Sequence, residues 1–394
     1  MVLDEEFPPD VRVENEIKTL TDAGHQITLL CYTRENKPTE DTSGKARIIR
    51  VPICKFMYKM KALALSLPFY FRFWKKHIQS VLRQEEYEVL HVHDLPLLKP
   101  CLELARQANV KLVADFHENR PEIMKMYHHV VSFPGNMLIS IKKWLQYQQD
   151  YSGLADYLIL VTPEARDYYS KEYKVPSEKV YIVPNYTDPE KLFKIEPDPE
   201  ILDRYKDKIM LSYLGNTGLR RGTQTIIEAA KILKDELDIH FAIIGESREQ
   251  EQLQALVDEY ALENVELTGY VPFQKAASYI MASSAGLCPF LRNIHHDTTY
   301  ANKMYQYMAF GKAIIASDCP SQMNVINKEQ CGLIFAAGDA AELAEKILSL
   351  KDDKLLKKFG NNGKEAVLNR YNTKMGNQAL LKLYENIQEL NVNK

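Results

Sequence analysis

Short runs of apolar, often β-branched residues alternate with longer amphipathic stretches along the whole chain. In the first half the apolar runs lie at 26–32, 89–92, 111–116, 157–161 and 180–184. In the second half they lie at 208–214, 240–244, 265–267, 285–289 and 313–317. This alternation predicts βαβ units whose strands form parallel sheets. Two such series predict an α/β protein with two Rossmann-like, doubly wound domains.

The chain between the two series indicates a domain boundary. Residues 184–189 contain two prolines, and the acidic, proline-bearing run 195–200 follows them. Such segments are typical of surface connections that few contacts cross. We therefore predict a first domain over 1–187 and a second over 188–371. The last stretch, 372–394, has apolar residues at helical spacing and is predicted to return to the first domain as a helix.

The composition of the chain limits the partners and the cellular compartment that we expect. A chain of 394 residues with 45% hydrophobic residues can form two cores of moderate size. The net charge of −3 gives no reason to expect a nucleic-acid partner. Six scattered cysteines without a CxxC pair indicate a reducing compartment, so we expect a cytoplasmic protein. The sequence contains no run of about 20 apolar residues that would span a bilayer.

One segment is unusual in charge. Residues 55–84 contain no acid, and their basic residues are interleaved with aromatic ones. A helix of this kind is suited to peripheral contact with an anionic inner-membrane surface. The alternative is a solvated helix whose aromatic residues fill the first core. Residues 142–147 are a second, weaker candidate for membrane contact.

A glycine-rich turn follows the first strand of the second series. Residues 212–222 read SYLGNTGLRRG and precede a predicted helix at 223–234. Glycines let the backbone approach a ligand, and a helix start offers free N–H groups to an anion. Arg220 and Arg221 add two cations, so the turn predicts a diphosphate site, with a plain turn as the alternative. Glycine-bearing strand ends at 243–247 and 267–272 favour a nucleotide across the same sheet edge.

The stretch 295–317 contains a motif that resembles the pattern of a known family. Its predicted helix carries Asn302, Lys303 and Gln306 on one side. Residues 302–317 resemble the pattern SPNKxxEYMAxGKPVIAS of glycosyltransferase family four. Residues 7–13, 91–94, 115–118 and 183–188 resemble further motifs of that family. The resemblance covers nearly the whole chain and implies a retaining group 1 glycosyltransferase of the capsule or lipopolysaccharide type. It also implies a GT-B fold, with the active site in a cleft between the domains.

The resemblance also implies site residues. His117 would face the sugar, while Arg221 and Lys303 would neutralise charge on the departing diphosphate. The donor-binding residues would be Gly215, Asn216, Thr217, Arg220, Gly245, Glu246, Tyr270, Val271, Thr298, Thr299, Asn302 and Gln306. The acceptor side would contain Asp10, Arg12, His93, Asp94 and Glu118. No metal cluster is visible and no cofactor is expected, since basic residues can replace a metal at the diphosphate.

The sequence departs from the family pattern at three positions. The two glutamates that the family places eight residues apart are Thr298 and Gln306 here, and Asn216 replaces a frequent arginine. Asp297 is a candidate substitute for the first glutamate. The expected reaction moves a hexose or N-acetylhexosamine from a nucleoside-diphosphate sugar, with a UDP-sugar favoured. The expected acceptor is a glycan or a lipid-linked glycan of cell-surface polysaccharide synthesis.

Three alternatives compete with this interpretation. The departures at Thr298 and Gln306 leave open a non-catalytic relative that uses the fold for binding or assembly. The acceptor-side motifs argue against a nucleotide-sugar epimerase. The lack of a full GxGxxG argues against a nicotinamide dehydrogenase. Two local segments also carry predictions. Residues 1–3 resemble only the tail of the family's first strand, which predicts a short sheet edge. Residues 360–364 are predicted to form a turn.

Overall fold

The computed structural model describes residues 1–35 and 37–392, so the last two residues of the predicted C-terminal helix lie outside the described residues. The chain forms two compact units. The first comprises Met1–Pro184 together with the chain from Gly376 onward, and the second comprises Asn185–Met375. The predicted domain bounds were 1–187 and 188–371, with 372–394 returning to the first domain.

The first domain contains an eight-stranded sheet with the order β3-β4-β2-β1-β5-β6-β7-β8. All neighbouring strands are parallel except β3, which is antiparallel to β4. The strands are β1 (Val2–Glu6), β2 (Thr28–Thr33), β3 (Glu40–Ser43), β4 (Ala46–Pro52), β5 (Val89–His93), β6 (Lys111–Phe116), β7 (Tyr157–Leu160) and β8 (Val180–Ile182).

Nine helices in the described part of the first domain connect these strands. They are α1 (Val11–Asp22), α2 (Lys55–Met60), α3 (Phe69–Leu82), α4 (Leu98–Ala108), α5 (Arg120–Met124), α6 (His128–Val131), α7 (Gly135–Leu138), α8 (Ile141–Tyr151) and α9 (Pro163–Glu172). Short 3-10 turns lie at Lys61–Leu63, Ser152–Leu154 and Ser177–Lys179.

Strand β1 lies in the middle of the sheet, between β2 and β5. The expectation that residues 1–3 form a short edge is therefore wrong. Val2 and Leu3 are buried, because both faces of a central parallel strand are covered. The strand order reverses between β1 and β5, and the carboxyl ends of strands at such a switch point form a crevice where ligands of this architecture bind.

The second domain contains a six-stranded parallel sheet with the order β11-β10-β9-β12-β13-β14. Its strands are β9 (Ile209–Leu214), β10 (Ile239–Ile244), β11 (Val265–Gly269), β12 (Ala285–Cys288), β13 (Ala313–Ser317) and β14 (Gly332–Phe335). The order reverses between β9 and β12. The loops after these two strands therefore line the expected ligand crevice of this domain.

Helices cover both faces of the second sheet. They are α10 (Pro189–Leu192), α11 (Pro199–Arg204), α12 (Thr223–Ile232), α13 (Gln250–Glu259), α14 (Phe273–Ala282), α15 (Ile294–Asp297), α16 (Asn302–Ala309), α17 (Pro320–Glu329), α18 (Ala340–Ser349), α19 (Asp353–Asn369) and α20 (Thr373–Gly376). A 3-10 turn at Leu219–Arg221 precedes α12.

The C-terminal helix α21 (Gln378–Val392) belongs to the first domain. Leu380, Leu383 and Ile387 lie at helical spacing and pack in one buried cluster with Leu20 of α1 and Val113 of β6. The predicted return of this helix to the first domain is confirmed, because its apolar stripe covers one side of the sheet.

Residues 360–364, predicted as a turn, instead lie inside α19. Gly360 is needed there for close packing rather than for a turn. A Cβ atom at this position would lie 2.1 Å from the carbonyl oxygen of Gly311. Glycine is the residue that permits such an approach between two backbones.

The acid-free segment 55–84 contributes aromatic side chains to the first core and leaves others exposed. Tyr70 and Trp74 of α3 are fully buried in the first core, as the structural interpretation requires. Phe56 of α2 and Phe69 at the start of α3 are exposed. None of the helices in the described part of the chain is both long and apolar enough to cross a membrane.

Candidate functional site

The loop after β9 is shaped by glycines that no other residue can replace without strain. Gly215 and Gly222 have φ angles of 118° and 77°. A Cβ atom on Gly222 would lie 1.7 Å from the carbonyl oxygen of Pro289, which follows β12. The two switch-point loops therefore pack backbone to backbone. This contact fixes the start of α12 and the arginines before it.

Lys303 and Arg221 share an aromatic floor beside this loop. The Lys303 Nζ lies 3.3 Å from the ring centre of Tyr213 and 5.7 Å from that of Phe290. The Arg221 guanidinium carbon lies 4.9 Å from the same Phe290 ring. A Cβ on Gly215 would lie 3.7 Å from Nζ, so the ammonium faces the glycine turn. The site thus gathers two cations where the loop leaves room for an anion.

Burial strongly disfavours the charged form of Lys303. Desolvation, with a smaller contribution from the Arg221 charge, holds the Lys303 pKa well below its usual value. An incoming diphosphate would reverse this effect, because two negative groups near Nζ favour the ammonium form. Lysines with lowered pKa values are concentrated at functional sites.

Two other predicted donor residues, Thr217 and Asn216, stabilise the loop through side-chain hydrogen bonds. Thr217 is buried, and its hydroxyl contacts Ser247 Oγ at 3.1 Å and Gln250 Oε1 at 3.0 Å. Asn216 Oδ1 accepts a hydrogen bond from the Gly218 N–H at 3.1 Å. Asn216 therefore shapes the turn with a side chain that many family members do not have.

The strand ends next to this loop place the remaining predicted donor residues. Gly245, directly after β10, has a φ angle of 129°, and a Cβ there would lie 2.0 Å from the Gly215 carbonyl oxygen. Glu246 and Tyr270 are exposed, while Val271 is half-buried against the second core. Exposed and half-buried side chains at the sheet edge are available to a base and a ribose.

The segment before α16 contains the predicted residues Thr298 and Thr299 and the candidate substitute Asp297. Thr298 is buried and donates its hydroxyl hydrogen bond to the Ile294 carbonyl at 2.6 Å. Asp297 makes two contacts with Arg292, at 2.7 and 3.0 Å. Asp297 is thus engaged by a neighbouring arginine. Thr299 Oγ1 is buried without a hydrogen-bond partner among the described residues.

Helix α16 carries the predicted ribose-side residues. Asn302 is exposed and Gln306 is half-buried, one turn apart on the helix that also presents Lys303. The amide of Gln306 can accept a hydroxyl hydrogen bond, but without the charge of a glutamate.

Arg220 and two buried histidines lie at the same edge of the sheet. Arg220 Nη1 is buried and has no hydrogen-bond partner in the described part of the chain. Burial, with the charges of nearby basic groups, lowers the pKa of His295 to about 2 and that of His296 to about 4. Both histidines are therefore neutral near pH 7. His296 stacks on the Phe290 ring at 4.5 Å, which makes it part of the aromatic floor.

In the first domain the predicted residues converge on Asp115 at the end of β6. Arg12 binds this carboxylate with both forks of its guanidinium, at 2.7 Å to Oδ1 and 3.2 Å to Oδ2. His117 Nε2 lies 3.1 Å from Oδ2, and His93 Nδ1 lies 3.3 Å from it. Burial opposes ionisation of Asp115, but Arg12 and His117 outweigh it and hold its pKa well below the usual range.

His117 is held as a cation by its neighbours. Burial opposes its charge, but the carboxylates of Asp94 and Asp115 raise its pKa to about 9. Asp94 has a φ angle of 63°, and its Oδ2 lies 3.7 Å from His117 Nδ1. A charged imidazole at a strand end is suited to contact hydroxyl or anionic oxygens of a ligand.

The two remaining acceptor-side residues lie at the edges of this group. Asp10 caps α1, because its Oδ1 accepts the Val13 N–H at 3.0 Å. Glu118 is half-buried directly after His117. Arg12 also donates to the Val183 carbonyl at 2.8 Å, so it links α1, β6 and the end of β8. The structure therefore gives Asp10 and Arg12 clear structural roles.

Several residues at these sites were not predicted from the sequence. Tyr213 and Phe290 form the floor under the two cations, and Glu16 and His91 lie beside Asp115. Burial raises the pKa of Glu16 to about 8 and lowers that of His91 to about 3. The sequence contains one signal for Glu16, because it follows Arg12 by four residues on α1. This spacing allows their 3.0 Å ion pair.

Comparison with known proteins identifies the family. Residues 10–191 match the family described as Glycosyltransferase Family 4, and residues 194–366 match Glycosyl transferases group 1. The chain belongs to the group 1 glycosyltransferases of family four. The predicted family membership is confirmed.

Two curated relatives are similar to this glycosyltransferase over part of their length. An uncharacterized glycosyltransferase of Methanocaldococcus jannaschii is 24% identical over 236 residues, which are 59% of each chain. The lipopolysaccharide core biosynthesis glycosyltransferase LpsD of Rhizobium meliloti is 26% identical over 212 residues, covering 52% of this chain and 57% of that protein. The chain thus spans about three fifths of the length of these two relatives.

Solved structures place the glycosyltransferase in the GT-B fold. Sucrose-phosphate synthase from Thermosynechococcus elongatus aligns with a TM-score of 0.76 at 19% identity, covering 98% of this chain and 95% of that one. Anabaena HepE in complex with UDP aligns with a TM-score of 0.71 at 12% identity, covering 98% and 99%. At these identities the likeness establishes the fold, and the predicted architecture of two Rossmann-like domains is confirmed.

Proposed function

We propose that this glycosyltransferase moves a hexose or N-acetylhexosamine from a nucleoside-diphosphate sugar, with UDP as the favoured nucleotide. The acceptor is a glycan or lipid-linked glycan of cell-surface polysaccharide synthesis, at the cytoplasmic face of the membrane. The observation that carries the donor assignment is the pair of cations Arg221 and Lys303 over Phe290, facing the glycine turn. The relative named for lipopolysaccharide core biosynthesis supports the choice of acceptor class.

The proposed reaction exchanges one bond at the anomeric carbon for another. The bond from C1 to the diphosphate oxygen breaks, and a bond from C1 to the acceptor oxygen forms on the same face of the sugar. The acceptor proton passes to the departing diphosphate, and the anomeric configuration is retained. Lys303 and Arg221 stabilise the charge that develops on the leaving group, so the diphosphate itself requires no metal ion. We assign a contact with the sugar to His117 on the basis of the family resemblance.

The test is calorimetric titration of the full chain with UDP-, GDP- and ADP-sugars, followed by turnover with the donor that binds. We expect micromolar binding of one UDP-sugar and a loss of binding of at least tenfold in Arg221→Ala. Arg248→Ala is the matched control, because Arg248 is an exposed arginine after β10 in the same domain. Binding without turnover would favour the non-catalytic relative suggested by Gln306. Binding of no donor would contradict the proposal.

We also propose that the first domain contacts the membrane surface through two adjacent acid-free segments. The net charge of the chain is −3, yet residues 55–84 and 123–149 contain no acid. Phe133 and Met137 in the second segment are 78% and 76% exposed. Lys143 Nζ donates to Ser66 Oγ at 3.1 Å, which joins the two segments. Exposed apolar side chains among cations are suited to an anionic lipid surface.

Vesicle sedimentation tests this membrane contact. We expect the full chain to bind vesicles containing phosphatidylglycerol and to bind phosphatidylcholine vesicles several-fold more weakly. The double variant Phe133→Ser/Met137→Ser should lose most of this binding. Leu237→Ser is the matched control, since Leu237 is an equally exposed apolar residue of the second domain at 86%. Equal binding by the double variant and the control would contradict this surface.

A further inference from the structure

Four buried side chains of the first domain each bring one metal-ligating atom to a common point. They are Glu16 on α1, His91 and His93 on β5, and Asp115 on β6. The four atoms lie within 4.8 Å of one another, and all four residues are buried. We propose that these residues bind a single transition-metal dication of the zinc class.

The distances fit one small ion. His91 Nε2 lies 3.9 Å from Glu16 Oε2 and 3.9 Å from Asp115 Oδ2, and His93 Nδ1 lies 3.3 Å from Asp115 Oδ2. A tetrahedral zinc ion with bonds of about 2.0–2.1 Å separates its ligand atoms by about 3.4 Å. The pairs at 3.9 Å would close by about half an ångström around the ion, and the widest pair, within 4.8 Å, by up to about 1.4 Å.

Two of the four atoms that would bind the ion lack another hydrogen-bond partner among the described residues, while Asp115 Oδ2 also contacts Arg12 and His117. His91 Nε2 and Glu16 Oε2 are buried without a hydrogen-bond partner in the described part of the chain. Buried polar atoms normally have a partner, because leaving one unpaired destabilises the fold. The opposite ring nitrogen of His91, Nδ1, lies 2.9 Å from the Tyr384 hydroxyl. When Nδ1–H donates to that oxygen, the Nε2 lone pair points to the cluster, as in histidines that bind metals.

Arg12 supports the site from outside. Its guanidinium lies 3.0 Å from Glu16 Oε1 and 2.7 Å from Asp115 Oδ1. Arg12 Nε also donates to Asp115 Oδ2 at 3.2 Å, while Glu16 Oε2 and Asp115 Oδ2 each lie 3.9 Å from His91 Nε2. Each carboxylate can thus bridge the arginine and the ion, while two imidazoles complete a mixed nitrogen and oxygen set that suits zinc.

The inference does not depend on the proposed function, because it rests on the positions of four buried side chains and not on a donor or an acceptor. The sequence indicates no metal cluster, since the four ligands are spread between residues 16 and 115 and only the fold brings them together. The ion would join α1 to the central strands β5 and β6. Its expected role is to stabilise this domain and to fix the carboxylate beside His117.

The test uses the full chain purified without metal-affinity chromatography, stripped with a chelator and titrated with Co²⁺ and then Zn²⁺. We expect one equivalent of Co²⁺ with the intense visible bands of tetrahedral coordination, displaced by Zn²⁺, and a higher melting temperature with either ion. Glu16→Gln, which is nearly isosteric, and His91→Gln should each weaken binding at least tenfold. His129→Gln is the matched control, because His129 is an exposed histidine of the same domain.

Two outcomes would overturn the proposal. One is a stripped, folded wild-type chain that gives no tetrahedral cobalt spectrum in excess Co²⁺. The other is a folded Glu16→Gln variant that binds cobalt as tightly as the His129→Gln control, which would assign the metal to an adventitious surface site. Circular dichroism of each stripped variant shows that it is folded, so loss of binding is not confused with loss of structure.

Discussion

Replacing Lys303 by methionine is expected to lower kcat/KM by about a thousandfold and, at the same time, to make the second domain more stable. The loss of activity follows from removing a cation that stabilises the leaving diphosphate, an effect of about 10²–10³ in comparable sites. The gain in stability follows from removing a half-buried amino group whose charged form is disfavoured by desolvation. Its neighbours in the described part of the chain include aromatic rings. Methionine fills a similar volume without a charge.

The stability difference between Lys303→Met and the wild type should depend on pH. Since the folded-state pKa of Lys303 is lowered, the unfolded chain binds more protons between that pKa and about 10.4, the unfolded value. The lysine therefore destabilises the fold at low pH, and this penalty falls by about 1.4 kcal/mol per pH unit in that interval. The variant's advantage in melting temperature should shrink as the pH rises towards 10. Lys275→Met, at an exposed lysine of the same domain, is the control. An advantage that grows with pH would contradict the assignment.

Much of the fold could be predicted because parallel strands buried on both faces leave a clear apolar signal. Strands β6 and β13 have the predicted bounds, Lys111–Phe116 and Ala313–Ser317. Strand β3 was missed because its residues, Glu40–Ser43, are polar and mostly exposed at the sheet edge. An edge strand needs no apolar run, and its charges protect the edge from association. The turn assigned to 360–364 failed because glycine has a second use, the close backbone approach to Gly311.

Some residues of the candidate sites could likewise be predicted from the sequence, and others could not. The glycine turn and Lys303 were predicted because local spacing and the family pattern specify them. Phe290, whose ring lies beside both cations, is an ordinary apolar residue in the sequence. Its role follows only from the packing of two loops. Glu16 and His91 were missed for a related reason. Their chemistry depends on Asp115, which is distant in sequence and adjacent only in the folded sheet.

Replacing Asp115 by asparagine is expected to destabilise the first domain by about 3–5 kcal/mol, the usual effect of breaking a buried ion pair from one side. Asparagine has nearly the same shape, so the loss reports charge rather than volume. The substitution leaves the buried guanidinium of Arg12 without its bidentate partner. It also leaves His117 with the carboxylate of Asp94 beside its ring. Denaturant unfolding in the presence of a chelator measures the effect without a contribution from a bound ion.

The matched control is Asp156→Asn, because Asp156 pairs with Lys111 at 2.9 Å in a partly exposed position. We expect a loss of about 1 kcal/mol or less there. The pH dependence separates the two variants further. The raised pKa of His117 contributes stability that is present below about pH 6.5 and is lost as the pH rises towards 9. Asp115→Asn removes a carboxylate that raises this pKa, so the variant should lose less stability over that interval than the wild type. A decline equal to that of the wild type, with the His117 pKa unchanged by NMR, would show that Asp115 does not hold the histidine in its charged form.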